Sequence, residues 1–286
     1  MYYALILLSV VMFGSCFAMN DTYRKMRGSS FKISFECSLI AALPNLILLL
    51  ALNGFRFECT PFSLVMAVLS ALNGLAFSFC SFKALGKINL SLYSLFSMLG
   101  GMALPFVQGI LFYGEQLTVA KIVCFVFIVF ALLTTLEKGE RKSGTIYYIG
   151  VFVLNGMSGV LSKIFTATDL PKTSATGYSL LANIATLFIA VFVLLLFRKR
   201  KTPAHTPLSV GVAAASGVVN RLANLLLILS LVHVDASVQY PMVTGGTMIV
   251  STAIAFMDKS RKPSKKELLS VALAFLGTLA LFVIPI

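Results

Sequence analysis

The chain has 286 residues, 58% hydrophobic and only 12% charged, with a mean hydropathy of +0.95. That balance excludes an ordinary soluble domain. The formal net charge of +13 would suit nucleic acid, but it is confined to short loops between apolar runs, so nucleic acid is excluded as a partner too.

Crossing a hydrocarbon core as a helix takes about 20 mostly apolar residues. Charged residues divide the sequence into ten such runs, predicted near 2–19, 33–53, 62–82, 89–112, 118–136, 145–165, 174–197, 208–232, 236–257 and 267–285. Runs such as Val123 to Leu133 do not alternate polar with apolar, which sets aside a β-barrel. The predicted class is an all-α membrane protein with no soluble domain between its spans.

Helix 1 has no positive segment before it, and Arg24, Lys25, Arg27 and Lys32 follow it, so it is predicted to be retained rather than cleaved as a signal peptide. Helix 2 carries Glu36 a turn from one end. Helix 3 has a small, polar stripe of Ser70, Asn73, Gly74, Phe77, Ser78 and Ser81, and helix 4 has Tyr93, Ser97, Gly101 and Gln108. Helices 5 and 10 lack a stripe and read as peripheral supports. Helix 6 offers Asn155, Ser158, Gly159, Ser162 and Lys163, the last near its outer end, where snorkelling alone accounts for it. Helix 8 carries Ala213, Ala214, Gly217, Asn220, Arg221 and Asn224; helix 9 carries Tyr240, Thr244, Thr247 and Ser251. Close packing of helices explains many of these small residues without a ligand. Together, stripes on five helices predict a shared central cavity.

Arg221 is the ionised side chain nearest the middle of a span, roughly 20 Å into helix 8. An Arg at that depth costs about 2.5–3.5 kcal/mol on insertion scales, so it faces a cavity or a partner. Its planar donors suit a carboxylate or phosphate. The competing reading is an internal ion pair with Glu36 or Glu115. The five cysteines fall singly and the two histidines, His205 and His233, have no companion at ligand spacing, so no metal, cofactor or disulfide is expected. No nucleotide loop or nucleophile–base pair points to an enzyme.

The sequence also repeats itself. Asn73, Leu75, Ala76 and Tyr93 recur 147 residues later as Asn220, Leu222, Ala223 and Tyr240. The implied organisation is two five-helix repeats, 1–136 and 145–286, joined by a cytoplasmic linker at 137–144. Loops after the odd-numbered helices hold 18 of the 23 Lys and Arg residues. The positive-inside rule then puts those loops in the cytoplasm and both termini outside. An odd number of crossings per repeat inverts the second copy relative to the first.

From Tyr93 through Ser97, Gly100, Gly101 and Pro105 to the run FYGEQLT ending at Thr118, the chain resembles the fourth helix and following turn of EamA-type members of the drug/metabolite transporter superfamily. Copy two matches more weakly at Tyr240, Thr244, Gly245 and Gly246, and Ser260-Arg261 replaces the Gly114-Glu115 of copy one. The resemblance implies ten transmembrane helices in two inverted repeats and a central substrate path. Helix 1 reads Val10 to Cys16 without the carboxylate that serves proton-for-cation exchange in the related four-helix multidrug proteins.

The expectation is a secondary transporter in a bacterial plasma (inner) membrane. It would move a small polar metabolite with a carboxylate or other anionic group, amino-acid-like, by alternating access. Substrate contacts are expected from Arg221, Asn220, Asn224, Asn73, Tyr93, Tyr240, Ser97, Thr244, Asn155 and Lys163. The alternative is a lipid-carrier flippase recognising a lipid phosphate. Membrane lipid and a second copy of the chain, giving a homodimer, are the remaining candidate partners.

Overall fold

The structure is a computed structural model describing residues 2–114, 118–135, 145–231, 236–258 and 262–284. The predicted linker, Glu115 and the Ser260-Arg261 dipeptide lie outside the described residues, as do His233 and the side chains of Tyr240 and Lys121.

The described residues form ten α-helices and no strand: α1 (Tyr2–Arg27), α2 (Phe31–Leu52), α3 (Pro61–Leu85), α4 (Leu90–Tyr113), α5 (Val119–Thr135), α6 (Thr145–Ala167), α7 (Ala175–Leu196), α8 (Pro207–Leu231), α9 (Ala236–Met257) and α10 (Lys265–Val283). Among them α1–α4 and α6–α8 are long and apolar enough to cross a membrane. Helix starts follow local chemistry. Ser30, Thr60, Asn89, Ser174 and Ser264 each accept a backbone N–H from the first turn of the helix that follows. Gly114 closes α4 in the left-handed conformation at φ +63°, which a side chain rarely adopts. The predicted end of helix 1 at residue 19 falls short: α1 continues for two more turns, so Arg24, Lys25 and Arg27 belong to its last turn rather than to a loop.

Eight helices close into a ring. Each packs on the next in the order α2, α8, α1, α9, α4, α6, α3, α7 and back to α2, while α5 and α10 pair with each other outside, with α10 against α9 and α4. Exchanging the first five helices for the last five turns α1/α8 packing into α6/α3, α1/α9 into α6/α4, and α2/α8 into α7/α3; the α2/α7, α4/α9 and α5/α10 pairs map onto themselves.

Small residues make these approaches close. A methyl group on Gly100 of α4 would overlap the Phe152 carbonyl of α6, and one on Gly156 of α6 would lie 2.6 Å from the Gly100 carbonyl. On α8, Gly217 meets Ala41 of α2 in the same way, 2.6 Å from its carbonyl oxygen. Outside the ring the surface is a run of large apolar side chains, among them Phe188 (74% exposed) and Phe192 (63%) on α7. Water would disfavour a belt that wide, and lipid accepts it.

Candidate functional site

The ring interior is built from two layers of different character. At the end where α1 and α3 finish and α2 and α8 begin, it is packed shut. Tyr23 of α1 meets Phe82 of α3 edge to face at 5.8 Å, and Ile33, Cys37 and Ala213 complete the same buried cluster. Below this plug a charged lock joins three segments. The Arg27 guanidinium, 2% exposed, donates to Glu36 of α2, and its Nη2 lies 3.1 Å from His205 Nε2 in the segment before α8. Thr202 Oγ1 donates to the other Glu36 oxygen at 3.1 Å. Around this lock, Lys25 Nζ bonds Asp258 Oδ2 at 2.7 Å, just past α9, and Lys32 Nζ donates to the Arg200 carbonyl at 2.7 Å. The basic residues that set the predicted topology therefore also hold one end of the ring closed. Glu36, one of the two acids weighed as a partner for Arg221, is engaged by Arg27 instead.

At the other end the loop between α2 and α3 is tied to the start of α7. Thr176 Oγ1 donates to Asn53 Oδ1 at 2.7 Å, the Ser174 N–H to Glu58 Oε2 at 3.1 Å, and the Thr173 N–H to Ser63 Oγ at 3.0 Å. These ties stay within one side of the ring. At the closed end α3 packs on α1 and α2; among the described residues no matching packing of α8 on α6 or α7 is seen. Between the two ends, α3 and α8 make no extended packing with each other among the described residues.

Arg221 sits in this middle layer. Its guanidinium is deep among protein atoms, yet the residue remains partly exposed and has no hydrogen-bond or ion-pair partner among the described residues. An unpaired cation this far along a membrane-spanning helix needs water or an anionic group beside it. In the 147-residue register of the sequence, Arg221 corresponds to Gly74 of α3. Gly74 is exposed, and nothing stands within 4 Å of where its Cβ would be. One position thus carries a long cation in one half and open space in the other.

The remaining sequence-predicted residues divide into two groups. Asn220 is partly exposed and Asn224 exposed, with Asn224 Nδ2 donating to the Asn220 carbonyl at 2.8 Å, so both lie on an accessible stretch of α8 near Arg221. Lys163 stacks on the Tyr113 ring at 5.1 Å at the end of α6. The others hold helices together. Asn73 Nδ2 donates to the Leu154 carbonyl and to Ser158 Oγ at 2.9 and 2.8 Å, fastening α3 to α6. Asn155 Nδ2 donates to the Ser97 carbonyl at 2.6 Å, fastening α6 to α4. Tyr93 is 1% exposed, packs edge to face on Phe17 and donates to Ser81 at 2.9 Å. Ser97 and Thr244 are buried, while the Tyr240 side chain is outside the described residues.

Sequence reading passed over α2 as a contributor. Ser38 Oγ donates to Ser78 Oγ of α3 at 3.1 Å, and Asn45, two turns further on the same face, is buried with no partner for its Oδ1. The seven-residue spacing of Ser38 and Asn45, the only polar residues of α2 beyond Cys37, is the signal that could have found them.

No family model matches the sequence, and no curated protein matches it. A solved structure described only as "Crystal structure of protein" is similar over nearly the whole length, covering 97% of this chain and 96% of its own, with a TM-score of 0.63 and 17% identity. At that identity the likeness concerns the fold alone.

Proposed function

We propose that this chain is a secondary transporter of the EamA type in the drug/metabolite transporter superfamily. It spans a bacterial plasma membrane ten times, as two inverted five-helix repeats with both termini outside the cytoplasm. The exchange of packing partners between the two halves and the 147-residue register of Asn73 and Asn220 support the repeat. Its cargo is a small polar metabolite with a carboxylate or other anionic group.

The observation that carries the reading is Arg221, a guanidinium about 21 Å along α8, deep among protein atoms and without a partner among the described residues. A soluble anion entering the ring replaces the water around that cation with two parallel charge-assisted hydrogen bonds. One-sided closure supplies the rest of the cycle. With the Tyr23–Phe82 plug and the Arg27–Glu36 pair shut, the binding layer is reached from the face opposite the basic loops; releasing them and closing the other end presents the same layer to the cytoplasm. No intramembrane carboxylate is needed to explain this much, and the coupling ion stays unassigned.

Uptake into proteoliposomes, run with anions, zwitterions and cations, tests the proposal. Anions or zwitterions should be carried and cations should not. Arg221→Ala should abolish transport with the protein still inserted, and Arg221→Lys should restore part of it, keeping the charge without the planar fork. Normal transport by Arg221→Ala removes the anionic cargo from the reading. A response confined to polyprenyl phosphate favours the flippase instead.

A further inference from the structure

Arg198, Lys199, Arg200 and Lys201 follow α7 directly after its cap, Phe197, and all four are exposed. None has an acidic partner among the described residues: at that end Asp21 pairs with Arg24 and Lys25, Asp258 with Lys25 and Glu36 with Arg27, while Glu267 accepts from Asn89. The backbone beneath the four cations is nevertheless fixed. Lys32 Nζ of α2 donates to the Arg198 and Arg200 carbonyls at 3.5 and 2.7 Å, and the Phe197 ring lies 5.3 Å from Phe31 with the Arg200 guanidinium 4.8 Å from its other neighbour, the ring centre of Phe197 itself. A turn pinned to α2 thus displays four charges that the protein does not neutralise.

An apolar stripe leads up to this turn. Phe188, Phe192, Leu195 and Leu196 are exposed at three- and four-residue spacing on α7, one face that in a membrane meets acyl chains. Cations immediately beyond a spanning helix meet the phosphate level of the leaflet, where each strengthens attraction to anionic lipid about fivefold. A soluble anion would use the four cations and leave the stripe idle, whereas a phospholipid uses both.

We infer that the turn between α7 and α8 is a binding site for an anionic phospholipid, its headgroup held by Arg198, Lys199, Arg200 and Lys201 and an acyl chain lying along Phe192 and Leu195. The residues that follow join this site to the closed lock: Thr202 Oγ1 donates to Glu36 at 3.1 Å, and His205 Nε2 lies 3.1 Å from Arg27 Nη2. A headgroup gripping the turn in this position keeps both contacts together and favours the closed arrangement. The site requires only that α7 spans a membrane; its bracing of the lock rests on the one-sided closure proposed above.

Native mass spectrometry of the purified full-length protein in detergent can measure binding of the first lipid, with phosphatidylglycerol and phosphatidylcholine of identical acyl chains as probes. The anionic lipid should bind about 10²- to 10³-fold more tightly. Gln at all four of Arg198, Lys199, Arg200 and Lys201 should remove the preference, whereas Gln at Lys259, Arg261, Lys262 and Lys265 should leave it in place. Unchanged melting and unchanged outside labelling of Cys59 check that the 198–201 variant folds and inserts normally; if it does not, Arg198→Gln with Lys199→Gln, which keeps the Arg200–Phe197 contact, should lose about 25-fold. Equal loss in the two loop variants reduces the effect to diffuse surface charge and overturns the site, as does an intact protein without the preference. Competition by glycerol 3-phosphate at the lipid's own concentration overturns the assignment to lipid, because the apolar stripe then contributes nothing. For the lock, Gly74→Cys in a Cys59→Ser background should be labelled from the basic face more slowly in vesicles containing phosphatidylglycerol than in phosphatidylcholine alone, and the 198–201 variant should abolish the difference. Equal rates, or a difference that survives in that variant, overturn the bracing and leave the lipid site standing.

Discussion

Replacing Glu36 by Gln should unlock the basic end of the ring. In the closed arrangement Arg27 is 2% exposed and its Nε and Nη1 already lack partners, so the Glu36 carboxylate is its main compensation. Removing one member of a buried ion pair typically costs about 3–5 kcal/mol, because the other charge is stranded. That cost falls on the closed arrangement, since an opened end lets Arg27 reach water. The ratio of closed to open molecules should therefore drop by about 10²- to 10⁴-fold. His205, 3.1 Å from Arg27, accepts a hydrogen bond but brings no negative charge, so it does not substitute. Gly74→Cys in a Cys59→Ser background gives a thiol in the open middle layer, and a membrane-impermeant maleimide applied to vesicles of each orientation reports which end admits it. With Glu36 intact, labelling should come from the face opposite the basic loops; with Gln it should come from the basic face as well. The pair Arg27→Leu with Glu36→Leu should restore one-sided labelling, because two apolar residues leave no stranded charge. If Glu36→Gln lowers the melting temperature without changing the side of labelling, the pair is a structural tie and the gating argument fails.

Cys59 is the one exposed native thiol, in the loop between α2 and α3 that the charge pattern puts outside. Impermeant maleimide should label it in intact cells; labelling only after permeabilisation would invert the topology. Gly100→Val should destabilise by about 1–3 kcal/mol or more, read as a lower melting temperature, since its Cβ has no room beside the Phe152 carbonyl. Gly74→Leu, at a position with open space, should leave the melting temperature within a degree or two and block transport by filling the middle layer. Unchanged transport in Gly74→Leu would mean that this face of α3 is not on the solute path. Asn45→Leu should raise stability by about 1–3 kcal/mol, the cost of an unmatched buried amide, and a fall in melting temperature would point to a partner for Asn45 in the folded protein.

Helix positions were legible because lipid leaves the chain few options: a polar backbone must satisfy itself within each span, and apolar runs of the right length declare where it does so. Charge was legible for the same reason, and Arg221 stood out as a mid-span cation. The polar stripes were harder to read. Spacing identified Asn73 and Asn155 as inward-facing, but an amide that meets a facing backbone carbonyl serves packing, and whether such a carbonyl stands opposite depends on which helices are neighbours. Tyr93 illustrates the same limit, since burial behind Phe17 and Ser81 is decided by tertiary contact. Asn45 went unread for the opposite reason. A single amide in an apolar helix forms no convincing stripe until α7 and α8 are seen to flank it.

If the halves are copies of one unit, as proposed, function is expected where they differ. Two copies of one unit can build a ring from equivalent contacts. The requirement on the site is different, because a solute with distinct ends needs distinct partners. If Arg221 had a cationic twin at position 74, two guanidinium groups would face one another across the interior, and burying both would cost more than a single anion could offset. Glycine there removes that repulsion and leaves volume for the solute beside the remaining cation. On the proposed reading, this departure from the repeat is what turns a symmetric scaffold into a binding site with a preferred orientation for its cargo.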